Sequence, residues 1–393
     1  MKKEQNTYIL SLNGGSSSLK FTLYRTDPFK LKLSGTVSRI GGKQGELEIK
    51  DRDGHVLEKR DKEYPSMETA ATEVAEWLKA GDYLLKGIGH RLVQGGPEHR
   101  QPELITAQLL AELNGFIYLA PNHLPDEIRT IEIFQQAFTN IPQVACFDTS
   151  FHKDMPSHSK DYPLPPQYKA KGLIRYGFHG LSYEYIMHAL GERIPRIARE
   201  KIIIAHLGNG ASMAAVKNGT CVDTTMGVSP TGGLVMGTRS GDLDPEVVLF
   251  LMKQGTLSVE ELDDILSKQS GLKAIAGISD IQELLKAEKN NAQAKEAITV
   301  FCYSARKFIA AMAAAMGGVD RLVFTGGIGE NSAVIRQRIC KDLGFLGMDL
   351  HEKKKEESRD EISHKKSRVI INVQQTNEEW MIAKHTLQLM NKK

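Results

Sequence analysis

Residues 7–26, TYILSLNGGSSSLKFTLYRT, contain the pattern on which the fold prediction rests. An apolar run, TYILSLN, leads into a turn of small residues, GGSSS, and a second run of strand-forming residues follows. β-Branched and aromatic residues favour strands, whereas glycine and serine favour tight turns. The segment therefore predicts a strand, a glycine-rich turn and a second strand.

The second half of the chain repeats this arrangement. Residues 201–219, KIIIAHLGNGASMAAVKNG, again place a glycine-rich turn between two apolar runs, and residues 12–17 align without gaps with residues 207–212. A third apolar run and glycine turn, RLVFTGGIGENS, follows at residues 321–332. Because the similarity falls at the same place in each half, it indicates a duplicated domain.

Further segments predict strands and helices in alternation. Apolar and polar residues alternate through residues 45–61 on both sides of the turn dipeptide Asp53-Gly54, which predicts a hairpin. Residues 122–140 predict a helix that begins near Pro125 and is followed by a buried strand, IPQVACFD. An alanine-rich helix is expected at 302–316. Strands that alternate with helices indicate an α/β protein.

The domain boundary and the last helix can also be placed. Residues 155–176 contain prolines at 156, 163, 165 and 166 and show little periodicity, so we expect a loop there, with the domain boundary just before it. An amphipathic helix is predicted at 377–390. The charged stretch 352–368 is expected to be a solvated surface segment.

Length and charge exclude several classes of function. The chain has 393 residues, whereas one domain typically has about 100 to 200, so two or three domains are expected. There are 51 Lys and Arg against 48 Asp and Glu, a formal net charge of +3. This balance disfavours nucleic acids and anionic membranes as partners.

Cysteines and apolar segments indicate a cytoplasmic protein. Cys146, Cys221, Cys302 and Cys340 contain no CxxC pair, so we expect reduced core thiols. The N-terminus MKKEQNTYIL has no apolar stretch typical of a signal peptide. The apolar stretch 308–319 is expected to be too short to cross a bilayer.

The glycine turns suggest a phosphate ligand. The sequence has no GxxxxGK[ST] motif and no GxGxxG opening a helix after the first strand, which disfavours P-loop and Rossmann sites. Glycine is needed where backbone N–H groups approach phosphate oxygens closely. Three such turns in two similar halves point to a nucleotide held in a cleft between them.

Seven motifs, in order along nearly the whole chain, resemble the acetate kinase family. They are LNGGSSSLKF, FDTSFHKDMP, RYGFHG, HLGNGAS, MGTRSGDLDP, TGGIGENS and TNEE. The resemblance implies two duplicated domains of the actin, Hsp70 and hexokinase type, which are ribonuclease H-like, with an interdomain nucleotide cleft. It further implies residues 1–150 plus 376–393 as the N-terminal domain and residues 151–375 as the nucleotide-binding domain.

The resemblance also implies reversible transfer of the ATP γ-phosphate to acetate, giving acetyl phosphate and ADP, with Mg²⁺ as cofactor and a homodimeric enzyme. Arginine suits phosphate and carboxylate groups because its planar fork can bind them through two hydrogen bonds. Acetate is already ionised at neutral pH, so no strong general base is required.

Individual residues take expected roles from these motifs. The catalytic set is Arg91, Asp148, His179 and Arg239. The acyl substrate is expected at Arg91, Val93, Asn122, Phe178 and Pro230, and the metal at Asn13 and Glu378. The nucleotide is expected at Ser16, Ser18, Lys20, His206, Leu207, Gly208, Asn209, Gly210, Asp280, Ile281, Gln282, Gly327, Ile328, Gly329, Glu330 and Asn331.

Three positions depart from the family pattern. Gln94 in GHRLVQGG stands where the family usually has histidine, and Gln282 in SDIQ replaces an arginine. Asn122 in APNHLP occupies the position of an apolar residue that lines the acyl pocket. Two alternatives to acetate kinase remain: a propionate kinase, and a non-catalytic member of the fold that uses ATP as a conformational switch. Val93 argues against the first, and the intact Arg91, His179 and Arg239 argue against the second.

Overall fold

The computed structural model describes residues 6–255, 257–350 and 361–392. The chain divides into two compact units: unit 1 comprises Met1–Ser150 and Asn377–Lys393, and unit 2 comprises Phe151–Thr376. Most of the charged stretch 352–368, namely residues 352–360, lies outside the described residues, as do the first five residues of the N-terminus.

The described residues form thirteen strands. In chain order they are β1 Tyr8–Gly14, β2 Ser18–Thr26, β3 Phe29–Ser38, β4 Gly45–Asp51, β5 Val56–Lys62, β6 Leu85–Leu92, β7 Glu103–Leu104, β8 Gln143–Phe147, β9 Lys201–Leu207, β10 Ala211–Lys217, β11 Thr220–Thr224, β12 Arg321–Thr325 and β13 Ile370–Val373.

The α-helices are concentrated in unit 2. In chain order they are α1 Met67–Ala80, α2 Ala107–Gly115, α3 Leu124–Ala137, α4 Ser157–Lys160, α5 Pro166–Ala170, α6 Gly180–Gly191, α7 Pro245–Gln254, α8 Val259–Asp264, α9 Gly271–Ala276, α10 Ile281–Ala287, α11 Ala292–Met316, α12 Gly326–Asn331, α13 Ala333–Cys340 and α14 Glu378–Asn391. Short 3₁₀ segments occur at Ile117–Leu119, Ser150–His152, Ile197–Arg199 and Gly344–Leu346, and a π-helical turn at Ile265–Gln269.

The two sheets share one plan. In unit 1 the strand order is β5-β4-β3-β2-β1-β6-β8-β7, and in unit 2 it is β11-β10-β9-β12-β13. In each, the first three strands pair antiparallel in sequence order. A later strand then pairs parallel with the first, and a further strand pairs parallel with that one. Strands β1 and β9, which lead into the two glycine turns, occupy the same place in this order. The predicted α/β class and the predicted duplication are confirmed.

Unit 1 buries both faces of its sheet. Helices α1 and α3 cover one face, where Phe21, Leu33, Val74 and Phe134 belong to one buried apolar cluster. Helix α14 covers the other face and packs across β6 at glycines: a Cβ at Gly89 would lie 2.2 Å from the Thr386 hydroxyl. This close approach fixes the start of α14 near the carboxyl ends of the central strands.

Unit 2 has a similar core on its shorter sheet. On one face, helix α6 packs Tyr183 and Ile186 against Ile202 and Val216 of β9 and β10. On the other face, α11 packs against the same two strands and against α9 and α10. The four cysteines, all of them described residues, are buried and form no disulfide, as expected for core thiols.

Helix α11 is longer than the alanine-rich helix predicted at 302–316, because Asn291 caps it and residues 292–301 continue the helical pattern. By length and composition it is the single helix among the described residues that could cross a membrane. The expectation that this region is too short to cross a bilayer considered residues 308–319 alone, and the helix is longer than that stretch. However, its buried residues recur at helical spacing from Ala294 to Met316, as in a core helix.

Most other sequence-based expectations for secondary structure are confirmed. The hairpin about Gly54 forms from β4 and β5, the helix after Asn122 is α3, and the last helix is α14. The loop expected at 155–176 was wrong in part, because α4 and α5 form within it. Proline suits a helix start, since it needs no hydrogen bond from its missing N–H there, and Pro156 and Pro166 lie at these starts.

Candidate active site

In unit 1, three adjacent strands end at the same edge of the sheet. Strands β1, β6 and β8 are parallel, and the pairing aligns Leu12 with His90 and Arg91 with Cys146. The carboxyl ends of parallel strands meet at one edge. Asn13, Arg91 and Asp148 lie at or just beyond these ends, so the topology brings the three predicted residues together.

Arg91 and Asp148 form a buried pair. The Arg91 guanidinium donates from Nε and Nη2 to Asp148 Oδ2, at 3.1 and 2.6 Å, and from Nη1 to the Gly14 carbonyl at 2.7 Å. Burial alone lowers the pKa of Arg91, but the carboxylates of Asp148 and Glu127 outweigh it and the net pKa shift is upward. Arg91 is therefore a fixed cation.

Asp148 retains an unused acceptor. Its Oδ1 is buried and has no hydrogen-bond partner among the residues that the structure describes. A buried carboxylate oxygen without a donor is costly, so such an atom marks a position where water or a cation is expected.

Asn13 and Glu378 are also in contact. Asn13 Nδ2 donates to Glu378 Oε2 and to Glu379 Oε1, both at 3.0 Å. Burial and the nearby carboxylates of Asp148 and Glu379 raise the pKa of Glu378 to about 7, although Arg91 and Asn13 act in the opposite direction. The two residues predicted to bind metal thus lie together in a region of excess negative charge.

The first glycine turn lies beside this cluster. The Gly15 N–H donates to the Ser18 carbonyl at 2.8 Å, while the Ser16 side chain is exposed. Lys20, on β2, is mostly exposed and forms an ion pair with Glu379 at 3.7 Å. These are three of the residues expected on the phosphate side.

The acyl residues divide between the units. Val93 is buried in unit 1 and follows β6, and Asn122 is exposed and contributes with Arg91 to the lining of a small cavity. In unit 2, Phe178 is buried, and the Pro230 carbonyl accepts a hydrogen bond from Arg239. Gln94 uses its side-chain oxygen to accept from the Gly95 and Gly96 N–H groups, each at 3.0 Å.

His179 has an unusual backbone and a fixed ring. Its φ of 59° places it in the left-handed region, which is uncommon outside glycine, immediately before α6. Its Nδ1 hydrogen-bonds with the Ser212 hydroxyl at 2.8 Å, and its ring stacks on that of His206 with centroids 4.3 Å apart. His206 in turn bonds to the Ser182 hydroxyl at 2.8 Å.

His179 and Arg239 converge on Gly210. A Cβ at Gly210 would lie 3.2 Å from His179 Nε2 and 3.4 Å from Arg239 Nη1. Arg239 Nη1 also donates to the Pro230 carbonyl at 3.1 Å. A larger residue at position 210 would crowd both nitrogens, so the glycine lets the two predicted donors lie close to one point of the backbone.

A cleft of about 610 Å³ opens in unit 2, within the size range of small-ligand sites. Eight residues predicted to bind nucleotide line it: Gly208, Asn209, Asp280, Ile281, Gln282, Gly327, Ile328 and Asn331. The glycine turn after β9 and the start of α12 after β12 meet there, because β9 and β12 are adjacent parallel strands. The start of α10 also borders the cleft.

Several predicted nucleotide residues have structural partners instead. Leu207 is fully buried, and Glu330 Oε1 accepts from the N–H groups of Gly326 and Thr376, at 3.0 and 3.1 Å. Asp280 caps α10 by accepting from the Gln282 and Glu283 N–H groups. Leu207, Gly329 and Glu330 are absent from the described lining of the cleft.

Three supporting residues were missed by sequence analysis. Ser212 lies in HLGNGAS and His152 lies in FDTSFHKDMP, so membership of these motifs could have indicated both residues. His152 is buried and joins the Cys221 thiol, at 3.2 Å, to the carbonyl before His179, at 3.1 Å. Glu127 had no signal, since it stands on the otherwise ordinary helix α3.

The chain matches known proteins over almost its full length. A sequence model described as the acetokinase family matches residues 8–384. The chain is 42% identical to acetate kinase from Carboxydothermus hydrogenoformans, covering 97% of this chain and 99% of that protein. It is 41% identical to acetate kinase from Treponema denticola, covering 97% and 99%.

Solved structures are similar as well. The crystal structure of Porphyromonas gingivalis acetate kinase superimposes with a TM-score of 0.86 at 36% identity, covering 98% of this chain and 99% of that one. A propionate kinase from Francisella tularensis gives a TM-score of 0.91 at 38% identity, covering 97% and 99%.

Proposed function

Because the chain belongs to the acetokinase family, we propose that it catalyses the reversible transfer of the ATP γ-phosphate to acetate, forming acetyl phosphate and ADP. In this reaction an acetate oxygen forms a bond to the γ-phosphorus while the bond from that phosphorus to the β–γ bridging oxygen breaks. The recognised family and the predicted enzyme class are confirmed by these similarities.

The observation that carries the proposal is that His179 Nε2 and Arg239 Nη1 both lie beside Gly210, 3.2 and 3.4 Å from where a Cβ there would stand. Phosphoryl transfer depends on positioning and on neutralising the charge of the transferring group. We assign these two donors to the oxygens of that group. Ser212 holds the other ring nitrogen of His179, which fixes the direction in which Nε2 points.

Arg91 is proposed to bind the acyl carboxylate. Its guanidinium is held by Asp148 and by the Gly14 carbonyl, so its position is set before substrate arrives. The substrate carboxylate is already an anion near neutral pH. Asp148 is therefore assigned to orienting Arg91 and not to removing a proton.

The cleft of unit 2 is proposed to hold the nucleotide. Gly208, Asn209, Gly327 and Asn331 supply short or absent side chains along it, which lets a phosphate chain approach the backbone. We assign the adenosine side to Asp280, Ile281 and Gln282, at the start of α10, where Gln282 offers an amide in place of a guanidinium. We keep Ser16, Ser18 and Lys20, in the first glycine turn and on β2, as proposed phosphate contacts.

The residues around Asn13 fit a magnesium ion. Mg²⁺ prefers oxygen ligands and keeps several of its waters. The pKa of Glu378 is raised, and Asp148 Oδ1 has no hydrogen-bond partner in the part of the chain that the structure describes, so a divalent cation would offset buried negative charge here. We propose that Asn13 and Glu378 hold the metal, which neutralises phosphate charge when bound.

Acetate is the proposed acyl substrate, and propionate is the nearest alternative. Val93, Phe178 and Pro230 supply apolar surface, and Asn122 supplies a polar amide. The similarity to a Francisella tularensis propionate kinase is the reason for retaining propionate as the alternative substrate. A valine at position 93 leaves less room than a smaller residue and favours acetate.

We propose a cytoplasmic homodimer. Helix α7 has no buried residue, and its large apolar side chains Val247, Leu249, Phe250 and Met252 are exposed by 40 to 60%. Exposed apolar clusters of this kind mark protein interfaces. The four cysteines, buried and without disulfides in the described chain, are consistent with a reducing compartment.

One assay tests the activity. The chain is incubated with ATP, magnesium and either acetate, propionate or butyrate, and acyl phosphate is trapped as hydroxamate. We expect acetyl phosphate, less propionyl phosphate and little butyryl phosphate. Formation of no acyl phosphate from any of the three acids by folded protein contradicts the proposal, and equal use of acetate and propionate contradicts the acyl preference.

A further inference from the structure

Glu127 is a buried carboxylate next to the proposed acyl site. It lies on the first turn of α3 and is 8% exposed. Buried glutamates are rare unless they are paired, because removing a charge from water is costly. Its surroundings therefore require an explanation beyond the stability of α3.

The carboxylate contacts two parts of β6 and its continuation. Glu127 Oε2 accepts a hydrogen bond from the Val93 N–H at 3.0 Å, and Oε1 lies 3.9 Å from Arg91 Nη1. With Arg91 and Asn122 it also borders a cavity of about 20 Å³, roughly the room needed by one water molecule. One side chain thus contacts Arg91, which is assigned to the acyl carboxylate, and the backbone of Val93, which is assigned to the apolar surface of the acyl site.

Arg91 is consequently placed between two acids. Asp148 already accepts two of its hydrogen bonds, and Glu127 adds a second negative charge on another side. The other titratable groups near Glu127 are Asp126 on its own helix and His90 and His123 around the cavity. A guanidinium that faces two carboxylates attracts a third anion less strongly than one that faces a single carboxylate.

We propose that Glu127 is a positioning residue that sets the affinity of the site for the acyl carboxylate. Its hydrogen bond fixes the backbone at Val93, and its negative charge opposes that of the incoming acid at Arg91. This inference rests on the proposed function, because it takes Arg91 as the acyl-binding cation. Burial raises the pKa of Glu127 to about 7, so the neutral and ionised forms are close in free energy.

The two contributions can be separated by two variants. Glu127→Gln keeps an oxygen that can accept from the Val93 N–H but removes the charge. Glu127→Asp keeps the charge but is too short to keep the same hydrogen bond. Glu73→Gln is the matched control, since Glu73 on helix α1 is another buried carboxylate of unit 1, paired with Arg60 and Lys62 of β5.

The Michaelis constants for acetate and ATP and the kcat are measured for wild type and the three variants at slightly alkaline pH. For Glu127→Gln we expect KM for acetate to fall by about three- to tenfold, with KM for ATP and kcat changed by less than about twofold. Glu127→Asp should not lower KM for acetate, and Glu73→Gln should leave all three constants near wild type. A purely structural role of Glu127 would move stability or kcat and not KM for acetate alone.

Acetate binding in the absence of nucleotide supplies a second readout, by calorimetric titration of the same proteins. Tighter binding by Glu127→Gln than by wild type and Glu127→Asp supports the inference. Unchanged or weaker binding by folded Glu127→Gln, or an equal gain in Glu127→Asp, overturns it. If wild type binds acetate but forms no acetyl phosphate, the proposed function fails and this comparison of affinities still stands as a test of Glu127.

Discussion

Arg91 donates two hydrogen bonds to one oxygen of Asp148, and the other oxygen of that carboxylate has no partner among the described residues. The pairing fixes the direction of the guanidinium while leaving one buried acceptor for a ligand. We therefore interpret the pair as one functional unit. Asp148 orients Arg91 through Oδ2, and its Oδ1 is available to a water molecule or a cation.

The first prediction follows from that pairing. Arg91→Ala and Asp148→Ala should each lower kcat/KM for acetate by about 10² or more, because each removes a part of the same unit. The double variant should be only a few times worse than the poorer single variant, since the interaction is lost once. Steady-state kinetics of the three proteins checks this, and fully multiplied losses in the double variant would show that the two residues act independently.

The second prediction concerns the donors of unit 2. His179→Ala and Arg239→Ala should each lower kcat by about 10² or more without unfolding, because donors aimed at developing charge act mainly in the transition state. Ser212→Ala should cost about tenfold, since it only loosens the His179 ring. Cys302→Ser, a buried thiol of α11, is the control, and near-normal turnover in folded His179→Ala or Arg239→Ala would refute the assignment.

The third prediction separates metal binding from helix stabilisation at Glu378. Glu378→Ala should raise the magnesium concentration needed for half-maximal activity far more than it lowers the melting temperature. The alternative role, a negative charge at the start of α14, contributes about 0.3 to 1 kcal/mol to stability. Glu68→Ala, which removes a negative charge from the first turn of α1, is the control. An unchanged magnesium requirement with a lower melting temperature would leave only the helix role.

The fourth prediction uses His90, which is buried and bonds to Gln143 at 2.7 Å. Burial lowers its pKa to about 4, so folding favours the neutral ring. Between this value and the ordinary value near 6.5 the unfolded chain binds more protons, so the His90 contribution is present above about pH 6.5 and is lost as pH falls. The contribution of His90 to the free energy of unfolding therefore increases as pH rises through this range.

His90→Gln removes this dependence while keeping a donor for Gln143. Relative to the variant, the wild type should lose about 1 to 3 kcal/mol of unfolding free energy between about pH 7 and pH 5. Glu127 and Glu378, whose pKa values are raised to about 7, act in the opposite direction over this range, so only the difference between the two proteins reports on His90. Denaturant unfolding at both pH values measures it, and an equal pH dependence of both proteins would show that His90 does not titrate as expected.

The strand ends could be predicted from sequence, but their supports could not. Asn13, Arg91 and Asp148 each follow an apolar run, and the parallel pairing of β1, β6 and β8 brings them together. Glu127 is different, because its burial depends on the fit of α3 against the end of β6. A glutamate on an amphipathic helix is normally read as part of the exposed face, and nothing in the local pattern indicates otherwise.

Motif membership also did not distinguish ligand contacts from structural ones. Gly327 and Asn331 line the cleft, whereas Glu330, on the same helix α12, accepts from the N–H groups of Gly326 and Thr376. All three lie in TGGIGENS, and their separation depends on the direction of each side chain after the positive φ of 76° at Gly326. That direction is set by helix α12, which begins directly after β12 where the sequence predicted a glycine turn.

The last prediction concerns Asn122 and the preference for acetate. Each methylene buried in an apolar site contributes about 0.8 kcal/mol, and a hydrated amide at Asn122 forfeits part of this gain for a longer acid. Asn122→Leu should therefore raise kcat/KM for propionate relative to acetate by a factor of about two to five, in line with the modest effect of one methylene in a pocket. Asn114→Leu, an exposed asparagine on α2, controls for added surface apolarity. Leu124, the other candidate in APNHLP, is fully buried at the start of α3, which leaves Asn122 as the residue that borders the cavity beside Arg91. An unchanged propionate-to-acetate ratio in folded Asn122→Leu would place this residue outside the acyl pocket.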